Sequence, residues 1–288
     1  MKKLIALLCI AALVLSFSAV AFADTAAEEE EEPVELIVFA AASMTEAMNN
    51  IIADYEALYP NVTIIATYDS SGTLKTQIQE GADCDIFISA GQKQMNQLDI
   101  TADESVNTDK LDFVIEDTRF NILENKCALC LADNTKLDIT SYDDLAEMLA
   151  DDSCEIMLAM GNSDVPVGQY TQKILAYYDL SEEDLAAAGK ITYGSNVKEV
   201  TTAVSEGTVD CGIIYASDAY SANLTPVALA DAEMTGGRVI YPAAVLNITQ
   251  NEEAARAFLE YLKGEEASAR LAEVLFTPLS TVEEEPAA

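Results

Sequence analysis

The sequence predicts an α/β protein built as two lobes, and three observations carry this prediction. Stretches typical of strands alternate with stretches typical of helices along most of the chain, which favours largely parallel sheets flanked by helices. The chain has 288 residues, more than one hydrophobic core usually holds. It has no long Pro- or Gly-rich linker, so we expect lobes joined by several crossing strands.

The individual elements follow from apolar periodicity. The predicted strands are 36–40, 62–68, 86–89, 126–132, 155–159, 212–215 and 239–246. The predicted helices are 45–59, 72–80, 93–98, 141–150, 168–178, 197–206 and 252–262. We expect the chain to cross between lobes just before Cys127 and near 238–241. Lobe 1 is then 34–123 plus 240–282, and lobe 2 is 124–239.

The first residues have the pattern of a secretory signal peptide. Lys2 and Lys3 precede an apolar run that ends at the small-residue site 21–23, so we predict cleavage after residue 23. A retained membrane anchor is the alternative. Cys9 follows Leu8 and not the small residue that lipoprotein processing requires. A soluble exported protein, periplasmic or at the extracytoplasmic cell surface, is therefore favoured over a lipid-anchored one.

Both ends of the exported chain are acidic and poor in apolar residues. Residues 24–33 form a polyacidic stretch closed by Pro33, and residues 283–288 are a similar tail. Neither can bury enough apolar surface to fold, so we expect a disordered leader and a frayed tail.

Composition excludes several classes of function. The formal net charge of −35 repels nucleic acid and anionic membranes, so neither is expected as a principal partner. The chain contains no histidine, which rules out histidine metal sites, triads that use histidine and histidine acid–base catalysis.

Cys127 and Cys130 could be interpreted as a redox pair, which would make the protein a thiol oxidoreductase. In an extended strand their side chains would point to opposite faces, and no helix begins there to lower a thiol pKa. Buried free thiols that pack as small hydrophobic groups are therefore the favoured interpretation.

Five strand-to-helix junctions carry hydroxyl groups and small residues. In the first, an apolar strand ends at Ser43, and Ser43 with Glu46 predicts a capping box that starts the helix at Ser43. The others are 68–74, 165–170, 195–199 with an Asn196–Glu199 capping pair, and 212–219. Free N–H groups at helix N-termini bind anions.

The charged residues near these junctions refine the prediction. No arginine lies within the five junctions, so their neutral donors suit a fully ionised oxyanion. Lys75 and Lys198 are expected to lie in solvent on helix surfaces. A carboxylate in the site, from Asp69 or Asp218, would instead favour a protonated ligand.

Seven motifs together resemble the periplasmic molybdate-binding proteins of molybdate ABC transporters. They are VFAAASMT at 38–45, SSGTL at 70–74, GADCDIFISA at 81–90, VPVGQY at 165–170, GIIYASDA at 212–219, YPAAV at 241–245 and YLKG at 261–264. They span nearly the whole exported chain in order. The resemblance implies the type II periplasmic binding protein fold, in which two α/β lobes close on the ligand by a hinge motion.

The resemblance also implies a set of ligand-binding residues. Ser43 and Ser71 would each supply a hydroxyl and a backbone N–H, Val167 and Val197 a backbone N–H, and Tyr215 its phenol. Valine at 167 departs from the usual alanine, which a backbone donor tolerates, and the segment around Val197 matches least well. No side chain would coordinate the metal, no catalytic residue is implied, and the protein would have no cofactor.

The function that follows is that of a receptor and not of an enzyme. We expect a monomer that captures molybdate or tungstate by lobe closure and delivers it to a membrane permease of an ABC transporter. A receptor for another tetrahedral oxyanion, such as sulfate, is the alternative, and a thiol oxidoreductase is a remote one. The sequence does not rank molybdate against tungstate.

Overall fold

The computed structural model describes residues 32–279. The predicted signal peptide, residues 24–31 of the leader and the tail lie outside the described residues. Among residues 32–279, no helix combines the length and the apolar character needed to cross a membrane.

The described chain alternates strands and helices, as its periodicity predicts. The strands are β1 Val34–Ala41, β2 Val62–Asp69, β3 Ile86–Ile88, β4 Phe120–Asn125, β5 Cys127–Leu131, β6 Leu158–Gly161, β7 Ile191–Gly194, β8 Cys211–Tyr215, β9 Pro226–Leu229, β10 Val239–Val245 and β11 Thr277–Pro278. The helices are α1 Thr45–Leu58, α2 Ser71–Gln79, α3 Gln92–Asn96, α4 Tyr142–Ala150, α5 Pro166–Tyr177, α6 Glu182–Ala187, α7 Val197–Ser205, α8 Ala216–Ser221, α9 Glu252–Leu262 and α10 Glu265–Glu273.

The strands form two sheets. The first has the order β11-β4-β10-β3-β1-β2, and the second has the order β7-β6-β8-β5-β9. The predicted α/β class is confirmed, but each sheet is mixed and not mostly parallel. In the first sheet β1 pairs parallel with β2 and β3, whereas β10 is antiparallel to β3 and β4. The chain reaches β10 directly from the second sheet, so no helical crossover makes it parallel.

The second sheet follows the same plan. β6 is parallel to β7 and β8, whereas β5 is antiparallel to β8 and β9. The chain passes from the first sheet to the second at Lys126, between β4 and β5, and returns between β9 and β10. The predicted division into lobes, 34–123 plus 240–282 and 124–239, stays a prediction.

Strand β1 shows why the first junction lies deep in the fold. Its side chains alternate between two apolar clusters: Leu36 and Val38 pack with Ile51 on one face, and Phe39 packs with Phe87 on the other. Each fully buried side chain of this size stabilises the fold by about 1.5–3 kcal/mol. A strand buried on both faces carries its last residues, and Ser43 just beyond them, into the interior.

Some boundaries differ from the predictions. The predicted strand 155–159 begins later, at Leu158, and the predicted helix 168–178 begins earlier, at Pro166. Proline is tolerated in the first helical turn because the N–H it lacks has no partner there. The sequence also missed β4, β7, β9, β11, α6, α8 and α10.

Candidate functional site

A small cavity lies where the carboxyl ends of β1, β2 and β8 meet the N-termini of α2, α5 and α7. Its cavity volume is about 10 Å³, far below the roughly 300–1,000 Å³ typical of pockets for organic ligands. Its lining residues are Ala41, Ala42, Ser43, Asp69, Ser70, Ser71, Ala90, Val165, Pro166, Val167, Val197 and Tyr215. The cavity therefore suits an ion or a ligand of few atoms.

All five residues that the resemblance implies line this one cavity. They are Ser43, Ser71, Val167, Val197 and Tyr215, and each is at most 4 % exposed. Hydrogen bonds made here would be shielded from water, which strengthens them. Ser43 and Val167 are 124 positions apart in the sequence, yet the fold places both of them at this cavity.

Ser43 does not cap the first helix. It lies in a 3-10 turn, Ala42–Met44, and α1 begins at Thr45 without a side-chain cap, so the predicted Ser43–Glu46 capping box is wrong. The hydroxyl of Thr45 donates to the carbonyl oxygen of Ala42 at 2.7 Å instead. Ser43 Oγ lies 2.9 Å from the phenol oxygen of Tyr241, because the 3-10 turn directs it toward β10.

Ser71 is the first residue of α2, and its neighbour Ser70 is the cap. Ser70 Oγ accepts a hydrogen bond from the N–H of Thr73 at 3.1 Å. Ser71 Oγ accepts from the N–H of Ala90 at 2.8 Å. Because a backbone N–H can only donate, the Ser71 hydroxyl proton remains available to a ligand.

Val167 and Val197 contribute the first turns of α5 and α7. N–H groups in the first helical turn have no intrahelical partner. Asn196 Oδ1 accepts from the N–H of Glu199 at 3.1 Å, and Glu199 Oε2 accepts from the N–H of Ser195 at 2.7 Å. The predicted Asn196–Glu199 capping pair is confirmed, and it leaves the N–H of Val197 at the cavity.

Tyr215 ends β8 with its hydroxyl buried. The phenol oxygen has no hydrogen-bond partner among the described residues. Burial raises the pKa of Tyr215 well above its ordinary value, so the phenol keeps its proton. A buried, unpaired hydroxyl is costly, and this one lies in the cavity wall, where a ligand can satisfy it.

Asp69 is the one carboxylate among the lining residues. Its Oδ1 accepts from the N–H of Ser70 at 2.7 Å and from the Asn196 side-chain amide at 3.3 Å. The second contact joins the end of β2 in the first sheet to the cap of α7 beside the second sheet.

Sequence reasoning missed two sets of side-chain contacts around the cavity. Lys198 was predicted to lie in solvent, and 37% of its side chain is exposed, but its Nζ lies 2.9 Å from Oδ1 of the fully buried Asp218. The hydroxyl of Tyr241 bridges Ser43 and the side-chain amide of Asn125. Lys198 and Asp218 lie near Val197 and Tyr215 in the sequence, which is a weak signal. Tyr241 lies 198 positions from Ser43, and sequence does not show which side chains meet across sheets.

The five cysteines among the described residues are free and mostly buried, as predicted. Cys84, Cys127, Cys130 and Cys211 are buried, and Cys154 is partly exposed. Burial raises the pKa of Cys130 to about 12 and raises that of Cys127 as well, so neither thiol forms the reactive thiolate at neutral pH. Within residues 32–279, no set of Cys, Asp and Glu side chains is arranged to hold a metal ion.

Two mixed sheets joined by crossing strands, with a small cavity at several helix N-termini, define a type II periplasmic binding protein. Residues 36–274 match the family model of bacterial extracellular solute-binding proteins, and the chain belongs to this family.

Three similar proteins indicate which members of the family this chain resembles. The putative ABC transporter substrate-binding lipoprotein YvgL of Bacillus subtilis is 32% identical over 83% of this chain and 85% of its own length. The molybdate-binding protein ModA of Escherichia coli is 31% identical over 81% of this chain and 85% of its own length. The structure of the Azotobacter vinelandii periplasmic molybdate-binding protein matches with a TM-score of 0.69 at 20% identity, over 84% of this chain and 98% of that one.

These similarities confirm the resemblance found in the motifs. The chain is a ModA-like substrate-binding protein of an ABC transporter, a component that binds a solute and hands it to a membrane permease. Proteins of this family are not enzymes. Because one fold serves many ligands, the ligand has to be argued from the cavity.

Proposed function

We propose that this protein captures molybdate or tungstate outside the cytoplasm, by closure of its two lobes, and delivers it to the permease of an ABC transporter. The five residues Ser43, Ser71, Val167, Val197 and Tyr215 would hold the oxyanion. Two serines would give hydroxyls and N–H groups, the two valines N–H groups, and the tyrosine its phenol.

The observation that carries this proposal is that the groups around the cavity are mainly donors. Ser71 Oγ already accepts from Ala90, and the phenol of Tyr215 has no partner among the described residues. The N-termini of α2, α5 and α7 add N–H groups and the positive ends of three helix dipoles. A fully ionised tetrahedral oxyanion presents only acceptors and fits such a set.

Helix dipoles and N–H groups also explain how a strongly negative protein could bind an anion. A net charge of −35 repels anions at long range, but surface charges are screened within about 8–10 Å at moderate ionic strength. The donors inside the cavity act on the ligand at contact, where this screening matters little.

Size would separate the candidate ligands. Molybdate and tungstate are nearly equal in size and larger than sulfate. A rigid cavity spaced for the larger ion leaves some donors unpaired around the smaller one, and each unmade buried hydrogen bond costs about 1–3 kcal/mol.

A second candidate is a receptor for a different tetrahedral oxyanion. Asp69 is the observation that favours it, because a carboxylate in the cavity wall can accept a hydrogen bond from a protonated ligand such as hydrogen phosphate. The two hydrogen bonds that Asp69 Oδ1 already receives weaken this candidate.

Calorimetric titration with molybdate, tungstate, sulfate and phosphate tests the proposal. We expect tight binding of molybdate and tungstate, weaker binding of sulfate and the weakest binding of phosphate. Micromolar or tighter sulfate binding without molybdate binding would replace the proposal with the second candidate.

The variant Ser43→Ala examines one proposed ligand directly. Loss of a hydrogen bond to a charged ligand costs about 1.5–3 kcal/mol, or roughly 10- to 100-fold in affinity. Ser181→Ala is the matched control, because Ser181 caps α6 and does not line the cavity. An affinity for molybdate that is equal in both variants would reject Ser43 as a ligand.

Export and oligomeric state complete the proposal. We propose that the chain is cleaved after residue 23, carries no lipid and acts as a monomer. The intact mass of the exported protein shows where it is cleaved and whether it carries a lipid. Light scattering measures its molar mass in solution and so its oligomeric state. A mass that includes a diacylglycerol group would overturn the unlipidated form.

A further inference from the structure

Four buried polar side chains form a hydrogen-bonded series that leads from α8 to the cavity. Asn125 Nδ2 lies 2.9 Å from Ser217 Oγ and 3.2 Å from the phenol oxygen of Tyr241. Tyr241 continues to Ser43 Oγ at 2.9 Å. All four side chains are at most 4 % exposed, so their hydrogen bonds are made with one another and not with bulk water.

Asn125 determines which groups donate and which accept in this series of hydrogen bonds. Its Oδ1 accepts a hydrogen bond from the N–H of Lys126 at 2.8 Å. A backbone N–H can only donate, so the amide oxygen must face it and the amide nitrogen must face Ser217 and Tyr241. The two hydrogens of this nitrogen serve these two partners, and the phenol oxygen of Tyr241 is therefore an acceptor from Asn125.

Because Tyr241 accepts from Asn125, its own proton is available to Ser43. Burial raises the pKa of Tyr241, so the phenol keeps one proton to donate. Among the described residues its hydroxyl contacts only Asn125, which is a donor, and Ser43. The phenol proton therefore goes to Ser43 Oγ, and the proton of Ser43 is left to point into the cavity.

We infer that Asn125 and Tyr241 are positioning residues that hold the Ser43 hydroxyl as a donor and thereby exclude oxyanions that carry a proton. A ligand such as hydrogen phosphate needs an acceptor for its own hydroxyl, and Ser43, which already accepts from Tyr241 and turns its proton to the cavity, is a poor one because a single lone pair remains. The inference rests on the proposed oxyanion-binding function and adds to it the residues that select the ionised form.

The variant Tyr241→Phe tests the inference. Without the hydroxyl of Tyr241, Ser43 can turn either its proton or its lone pairs to the cavity. We expect molybdate affinity to fall about five- to tenfold, as for the loss of one neutral hydrogen bond, while phosphate affinity holds or rises. The ratio of molybdate affinity to phosphate affinity would therefore fall. A purely structural effect would lower both affinities equally, and this result would overturn the inference.

Tyr142→Phe is the matched control. Tyr142 is also a buried tyrosine, but its hydroxyl has no partner among the described residues, and it does not line the cavity. Thermal unfolding of both variants checks that each is folded at the temperature of the titration. We expect the control to leave the ratio of molybdate to phosphate affinity at its wild-type value.

A double-mutant cycle with Ser43→Ala provides a second readout. If Tyr241 acts through Ser43, Tyr241→Phe changes molybdate affinity less than twofold when residue 43 is already alanine. Independent, multiplicative effects of the two changes would overturn the inference. If the wild-type protein binds no tetrahedral oxyanion, the proposed function itself fails, and this outcome is distinct from wild-type binding without coupling.

Discussion

The ammonium nitrogen of Lys198 lies 2.9 Å from Oδ1 of Asp218, a carboxylate with no exposed surface. Lys198 follows Val197 at the start of α7, and Asp218 lies in α8, which begins directly after Tyr215. The ion pair therefore connects α7, which begins at the proposed ligand Val197, to α8, which begins directly after the proposed ligand Tyr215. Its loss should affect both stability and binding.

The first prediction concerns Lys198→Met, which leaves the buried carboxylate of Asp218 without a cation. Breaking a buried pair is strongly destabilising. Because the Lys198 side chain is 37% exposed, we expect a smaller loss, about 1–3 kcal/mol in the free energy of unfolding. Urea unfolding measures it. Lys136→Met, at an exposed lysine in the loop between β5 and α4, is the control, and equal stability of the two variants would contradict the structural role of the pair.

The second prediction concerns the pH dependence of stability. Burial raises the pKa of Asp218 above its ordinary 3.8, against the opposing effect of Lys198. In the window between 3.8 and this raised value the folded protein binds more protons than the unfolded chain, so stability falls as pH rises. Asparagine does not titrate. The stability of Asp218→Asn relative to wild type should thus increase as pH rises above 3.8 and then level off, as urea unfolding at several pH values would show. A constant difference would contradict it.

The third prediction separates binding from stability at Tyr215. Phenylalanine removes a buried hydroxyl that has no partner among the described residues. The ligand-free protein should keep its stability or gain up to about 1 kcal/mol, whereas molybdate affinity should fall by roughly 10- to 100-fold. Thermal unfolding and titration measure the two effects. Tyr142→Phe should reproduce the effect on stability alone; a loss of stability without a loss of affinity in Tyr215→Phe would reject the assigned role.

The fourth prediction concerns the close approach of α2 to the loop before α5. A Cβ atom on Gly72 would lie 2.2 Å from the carbonyl oxygen of Asp164, so Gly72→Ala must push these segments apart. Overpacking of this kind costs about 1–3 kcal/mol, and the donors of Ser71 and Val167 would separate. Titration should show weaker molybdate binding. Gly264→Ala, at the start of α10, serves as the control because it lies outside the cavity lining, and unchanged affinity in Gly72→Ala would refute the prediction.

Local sequence signals predicted the α/β class and most longer elements, because these depend on periodicity within a segment. The strand Phe120–Asn125 was missed because it lacks alternation: Ile122 and Leu123 are adjacent and both buried. Its place between β10 and β11 depends on segments more than 100 residues away. The mixed pairing of the sheets was missed for the same reason, since pairing direction follows from the path between the sheets.

By itself the sequence determined most of the longer strands and helices, and hence which junctions could bring N–H groups and hydroxyls to an oxyanion. The Asn196–Glu199 cap and the small residues before Ser43 are local features of this kind. Only the tertiary structure decided what each hydroxyl does. Ser43 meets Tyr241 across 198 positions of the chain, and Asp218 meets Lys198 from another helix. A hydroxyl can donate or accept, and the partner that packs against it selects between the two.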